Sequence, residues 1–188
     1  GTSMKRRVNP IVLILLFLTV LLSTNAVLAQ GPIRGSASPG APIDNNTTAI
    51  STITISGTGT VQQMTVNVNI THSHGGDLSI FLRHVDSGKS VQLLRSPNGP
   101  GFAFGCGADG IFATFDDRAS IPMDAFDCSG DFEKPVTGSY KPPQALSSFN
   151  GDSVAGQCTL EVRDANIQDS GSLDSWGIAG HGYRRSFS

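Results

Sequence analysis

The sequence predicts an all-β, jelly-roll-like β-sandwich of about eight short strands. Two observations carry this reading. Met64, Val66, Val68 and Ile70 are apolar at period two, with Thr65, Asn67, Asn69 and Thr71 between them, as in a strand with one buried face. The 188 residues also include 22 glycines and 10 prolines, which punctuate short β-branched runs, and no stretch between these breakers repeats at helical spacing.

The other strands follow from the same alternation. Thr52 to Ser56 alternates around Ile53 and Ile55. Leu78, Ile80 and Leu82 follow the Gly75-Gly76 turn, and Val91 to Leu94 follows Ser87-Gly88. Phe112 to Phe115 forms another run. Cys158, Leu160 and Val162 alternate with Thr159, Glu161 and Arg163, and Leu173, Trp176 and Ile178 mark a closing strand after Ser170-Gly171. Trp176 is read as core. No internal repeat is present. Ser96 to Pro143 is rich in Gly, Asp, Phe and Pro with one convincing strand, so it reads as a long insertion.

The N-terminus reads as a secretory signal. Lys5, Arg6 and Arg7 supply the charge, Ile11 to Leu22 the apolar run, and Val27-Leu28-Ala29 the small residues for cleavage near Ala29, before Gln30. The apolar run is shorter than the roughly 20 residues that span a bilayer. Gly1-Thr2-Ser3 precede Met4 and read as a scar outside the signal. The expected organisation is this N-terminal scar plus signal peptide over 1–29, a linker over 30–42, the β-sandwich over 43–183 and a tail over 184–188. A secreted, extracellular product follows, free of the membrane after signal cleavage. Losing Lys5, Arg6 and Arg7 leaves ten basic residues against fifteen acidic ones, a net charge of −5. That balance argues against nucleic acid or an anionic membrane as partner.

Export places the three cysteines in an oxidising compartment. Cys106 and Cys128 bracket a loop-rich stretch and are the expected disulfide, which would pin the long insertion. Cys158 falls on an inward strand position and reads as a buried free thiol.

Several segments, in order, resemble the P domain of kexin- and furin-like proprotein convertases, above all its bacterial secreted members. Ile70-Thr71-His72 followed by Gly76-Asp77-Leu78-Ser79-Ile80-Phe81-Leu82 is similar to a Thr-His…Gly-Asp-Leu signature. Ser87-Gly88-Lys89 with Val91-Gln92-Leu93-Leu94 resembles the hairpin that follows, with Asp86 where Pro is usual. Thr114-Phe115-Asp116-Asp117-Arg118-Ala119, Gly138-Ser139-Tyr140-Lys141-Pro142 and Leu146-Ser147-Ser148-Phe149-Asn150-Gly151 continue the bacterial pattern. Gly156-Gln157-Cys158-Thr159-Leu160-Glu161-Val162 carries Cys158 in place of the usual Trp. Asp164 and Asp169-Ser170-Gly171-Ser172-Leu173-Asp174-Ser175-Trp176 complete the series. The resemblance covers roughly residues 43–182. It implies a β-sandwich that packs on a subtilisin-like catalytic domain and stabilises it, an association with serine endopeptidase activity and proteolysis. No catalytic domain accompanies it here. The expected partner is therefore a protein, such as a separately encoded serine protease.

Candidate sites lie in the loops. Asp116 and Asp117 are adjacent carboxylates that repel unless a cation or Arg118 intervenes. A hard cation takes six to eight oxygens in all, so Asp77, Asp164 and Asp169, with Asp44 and Asp109, are expected to converge with Asp116 and Asp117 on Ca²⁺, which the resemblance also supports. For Asp77 alone, a carboxylate bonded to backbone amides in its turn is favoured over a calcium ligand or a domain-docking contact. His72 and His74, with His84, read as a solvent-facing set on a strand edge rather than metal ligands. Ser153 lies in Gly151-Asp152-Ser153-Val154-Ala155-Gly156, which is not a Gly-x-Ser-x-Gly elbow. No catalytic residue is assigned, and the chain is expected not to be an enzyme. Two functions remain: a secreted, non-catalytic module that binds or stabilises a protein, and a carbohydrate- or cell-surface-binding jelly roll. The single Trp and two Tyr weaken the second.

Overall fold

The period-two runs become the strands of two facing sheets. A computed structural model describes residues 29–95, 107–126 and 133–184. Its strands are β1 (Ala29–Ala37), β2 (Ala41–Ile43), β3 (Thr48–Ile55), β4 (Thr60–His72), β5 (Leu78–His84), β6 (Ser90–Leu94), β7 (Ile111–Phe115), β8 (Val136–Tyr140), β9 (Gly156–Asp164) and β10 (Gly171–Arg184). One sheet runs β1-β10-β4-β7-β8, with β2 also on β10, and the other runs β3-β9-β5-β6. Only β7 and β8 pair in parallel among the described strands; the other pairings are antiparallel. Short 3₁₀ turns cover Gly75–Asp77, Met123–Ala125 and Leu146–Phe149.

The two inner faces make one core. Val66, Val68, Ile70, Phe115 and Trp176 from the first sheet are buried together with Ile80, Leu82, Leu160 and Val162 from the second. Each such side chain contributes roughly 1.5–3 kcal/mol by leaving water. The predicted all-β sandwich is what forms.

Three expectations change. Residues 30–42, expected as a linker, are largely strand: β1 pairs with β10 from Ala29↔Arg184 to Ala37↔Trp176, and β2 pairs with it from Ile43↔Gly171 to Ala41↔Leu173. Their Gly, Pro and Ser content suits a sheet edge, where one row of backbone groups needs no protein partner, and Ile33 is buried in the core. The folded domain thus begins ahead of residue 43. The stretch after residue 96 also holds a second strand, β8, which lies beside β7 at the sheet edge. Gly138 at φ 111 broke the alternation that would have disclosed it. Finally, His72 and His84 do not face solvent: both are buried.

Cys158 is a buried free cysteine, as expected. Burial, followed by the negative charge of Asp86, pushes its thiol pKa up to about 11. Cys106, Cys128 and the signal segment before Ala29 lie outside the described residues.

Candidate functional site

Both sheets end in loops that meet where β4 and β9 finish and β5 and β10 begin. Two inward-facing series terminate here in polar residues. Along β4 the buried positions Val66, Val68 and Ile70 are followed by His72, and along β9 Cys158, Leu160 and Val162 are followed by Asp164. His72 Nε2 faces Asp164 Oδ2 at 3.4 Å, with both side chains fully buried. The amide of His74 donates to His72 Nδ1 at 3.1 Å, so the neutral ring carries its proton on Nε2, toward the carboxylate. Asp164 Oδ1 accepts the Asn166 amide at 2.8 Å. The pair therefore joins the two sheets through one buried polar contact. Gly171 permits the close approach: a Cβ there would strike the carbonyl oxygen of Thr71 and crowd the His72 ring.

Above this pair lies a depression of about 460 Å³ lined by His74, Asp77, Asn166, Ile167, Gln168 and Asp169. Asp77 is almost wholly buried in its 3₁₀ turn. Its Oδ1 accepts the Asn166 side-chain amide and lies 3.9 Å from His74 Nε2. Its carbonyl also accepts the Ala165 amide at 3.2 Å. Asp169 accepts from Ser73 Oγ at 2.8 Å, and Asn45 Oδ1 accepts the Gln168 amide at 3.1 Å. Gln168 sits at φ 119, a costly conformation for a residue with a Cβ, held by these surroundings. Ile167 stands 70% exposed on the rim. The depression thus offers carboxylate and amide acceptors beside one apolar side chain.

The aspartates expected to share one ligand set are divided between two ends of the sandwich. Asp77, Asp164 and Asp169 belong to the loop end just described. Asp116 and Asp117 follow Phe115, which pairs with Val66, six residues along β4 from His72. That is about 20 Å at the rise of a strand. There, Asp116 accepts from Arg118 Nε at 3.2 Å, Nη2 at 3.0 Å and the Arg118 amide at 2.9 Å. The side-chain hydrogen bond from Arg118 lowers the Asp116 pKa, against a smaller opposing effect of burial. Asp117 accepts the amides of Leu146 and Ser147, each at 2.8 Å, and so caps the 3₁₀ turn Leu146–Phe149 from a distant part of the chain. Any cation at Asp116 and Asp117 competes with these bonds. Among the described residues no group of three or more His, Cys, Asp or Glu is arranged to hold a metal ion. The donors present do not fit the single Ca²⁺ site expected from the sequence.

His84 is in contact with a serine. Its Nδ1 lies 2.9 Å from Ser87 Oγ and also accepts the Ser87 amide at 3.3 Å. Its Nε2 is buried without a hydrogen-bond partner among the described residues. Among the described residues no carboxylate hydrogen-bonds to Nε2, although Asp86 lies close to it beside Gly156. Nearby, Lys89 Nζ bonds Asp152 Oδ1 at 2.6 Å and the Ser148 carbonyl at 3.0 Å.

Sequence reasoning placed His72 at the solvent and missed Asn166. For His72 the signal was available, since it continues the inward phase of Val66, Val68 and Ile70. For Asn166 there was none, because its bond to Asp77 joins residues 89 apart in the chain.

Comparison with known proteins bears on the fold. No protein-family model matches the sequence, and no curated protein matches it. Solved structures do. A serine protease of Aeromonas sobria in complex with its chaperone matches with a TM-score of 0.53 at 18% identity, over 90% of this chain and 29% of that one. The serine protease of Aeromonas sobria in a second structure matches with a TM-score of 0.51 at 19% identity, over 89% of this chain and 29% of the other. The likeness is one of fold, and this chain spans under a third of the chains it matches.

Proposed function

We propose that the protein is a secreted, non-catalytic P-domain-like module that binds or stabilises a protein partner, with a separately encoded subtilisin-like serine protease as the expected class. One observation carries the reading: about nine-tenths of the chain superposes on 29% of a serine protease chain. The fold is thus found there as one part of a longer chain. Supporting it are the ordered P-domain-like segments, the acidic charge that disfavours nucleic acid, and a loop end that presents acceptors and an apolar rim residue. Fold alone does not assign function, so the reading rests on experiment.

The test is co-expression with a subtilisin-like catalytic domain that lacks a β-sandwich module of its own. The protease should co-elute with this chain, and its peptidase activity should survive heating several times longer than alone. Separate elution together with an unchanged inactivation half-life rejects the proposal.

A further inference from the structure

Edge strands expose a row of unpaired backbone groups, and proteins guard them with short length, charge, proline, bulges or a covering segment. Three of the four sheet edges here carry such guards. β1 contains Pro32 and Arg34, and β8 has five residues with Gly138 at φ 111. β6 also has five residues, and Gln144 covers it: its Oε1 accepts the Gln92 amide at 2.7 Å, and its own amide donates to the Gln92 carbonyl at 3.2 Å.

The fourth edge, β3, has none of these among the described residues. Its eight residues, Thr-Ala-Ile-Ser-Thr-Ile-Thr-Ile, carry no charge, glycine or proline. It pairs with β9 in unbroken register from Thr48↔Arg163 to Ile55↔Gly156. The Asp164 amide donates to the Thr47 carbonyl at 3.0 Å, which sets the alternation. Ala49, Ser51, Ile53 and Ile55 therefore turn their backbone groups toward β9, and Thr48, Ile50, Thr52 and Thr54 turn theirs to the free edge. No backbone bond to these four from another described segment is present. Their side chains lie on the outer face, all exposed, with Ile50 at 59%.

We propose that β3 is a strand-addition edge at which two copies of the chain pair antiparallel, joining their four-stranded sheets into one. The chemistry favours a second copy over a foreign strand. β3 offers no charge or bulky polar group to select another sequence, and it is its own complement. With the two-fold axis at Ser51, Thr48 lies opposite Thr54 of the second copy, and Ile50 opposite its Thr52. Each of these four residues then exchanges both backbone bonds with its counterpart. Ile50 gains the methyl group of a β-branched neighbour, a favourable cross-strand pair. A closed symmetric pair also satisfies both edges at once.

The test is sedimentation equilibrium of the full chain over a wide concentration range. The average mass should rise toward twice that of a single chain. Thr52→Pro and Ile50→Lys should each weaken self-association at least tenfold. Thr52→Pro removes an amide that faces the free edge, so it breaks no bond to β9. Ile50→Lys adds a charge of the kind that guards natural edges. Melting temperature and Trp176 emission establish that each variant is folded, and Ile50→Lys decides if Thr52→Pro is not. A wild-type chain that keeps the single-chain mass at its highest concentration overturns the proposal. So does self-association that both folded variants leave intact.

Discussion

Trp176 on β10 donates its indole N–H to Ser51 Oγ on β3 at 2.8 Å, a buried hydrogen bond from one sheet to the other. The apolar body of the indole fills the core while its polar edge finds a partner that the opposite strand supplies.

Ser51→Ala leaves the indole N–H buried without an acceptor. The expected loss is about 1–3 kcal/mol of unfolding free energy. Urea titration followed by Trp176 emission measures it, since this is the only tryptophan in the chain. A loss near zero would mean that water reaches the indole in the variant.

Asp117→Ala removes two charge-assisted bonds to the Leu146 and Ser147 amides. The expected cost is about 1–3 kcal/mol. A capping role makes this cost equal in EDTA and in millimolar Ca²⁺. If wild-type protein melts several degrees higher with Ca²⁺ and the variant loses that difference, Asp117 is a ligand instead.

Asp164→Leu removes the carboxylate that faces His72 Nε2 and leaves the Asn166 amide without its acceptor. Leaving a buried polar group without its partner costs about 1–3 kcal/mol. Asp164→Asn keeps an acceptor at the same place and should cost less than half as much. Hydrogen exchange at the Asn166 amide should quicken more in the leucine variant than in the asparagine variant. Equal losses in both would show that charge, rather than hydrogen bonding, holds this contact.

Cys158 gives the stability curve an alkaline limb. Its folded pKa is raised to about 11, whereas an unfolded thiol titrates near ~8.5. Below the unfolded value both states hold the proton, and the stabilisation is fully present. Between the two values the unfolded chain releases a proton that the native state keeps, so stability falls as pH rises. Cys158→Ala should flatten this decline in denaturation curves taken across the window. A slope unchanged by the substitution would assign it to other groups.

The sequence by itself determined the fold class and most of the core, because a strand's side chains alternate whatever it pairs with. Val66, Val68 and Ile70 could face only one way together, and so could Leu160 and Val162. The same phase extended to His72 and Asp164, and their burial was legible in principle. The edge strands β1 and β8 were not, because glycine and proline interrupt β1 and a glycine interrupts β8, and only the sheet they complete identifies them. The carboxylates mark the same limit. Local sequence shows that Asp116 adjoins Asp117, but not that Arg118 takes one and a distant 3₁₀ turn the other. Nor does it show that Asp77 and Asp164 lie a strand's length away. Which loops share an end of the sandwich is decided by strand order and register, and these depend on contacts between residues far apart in the chain.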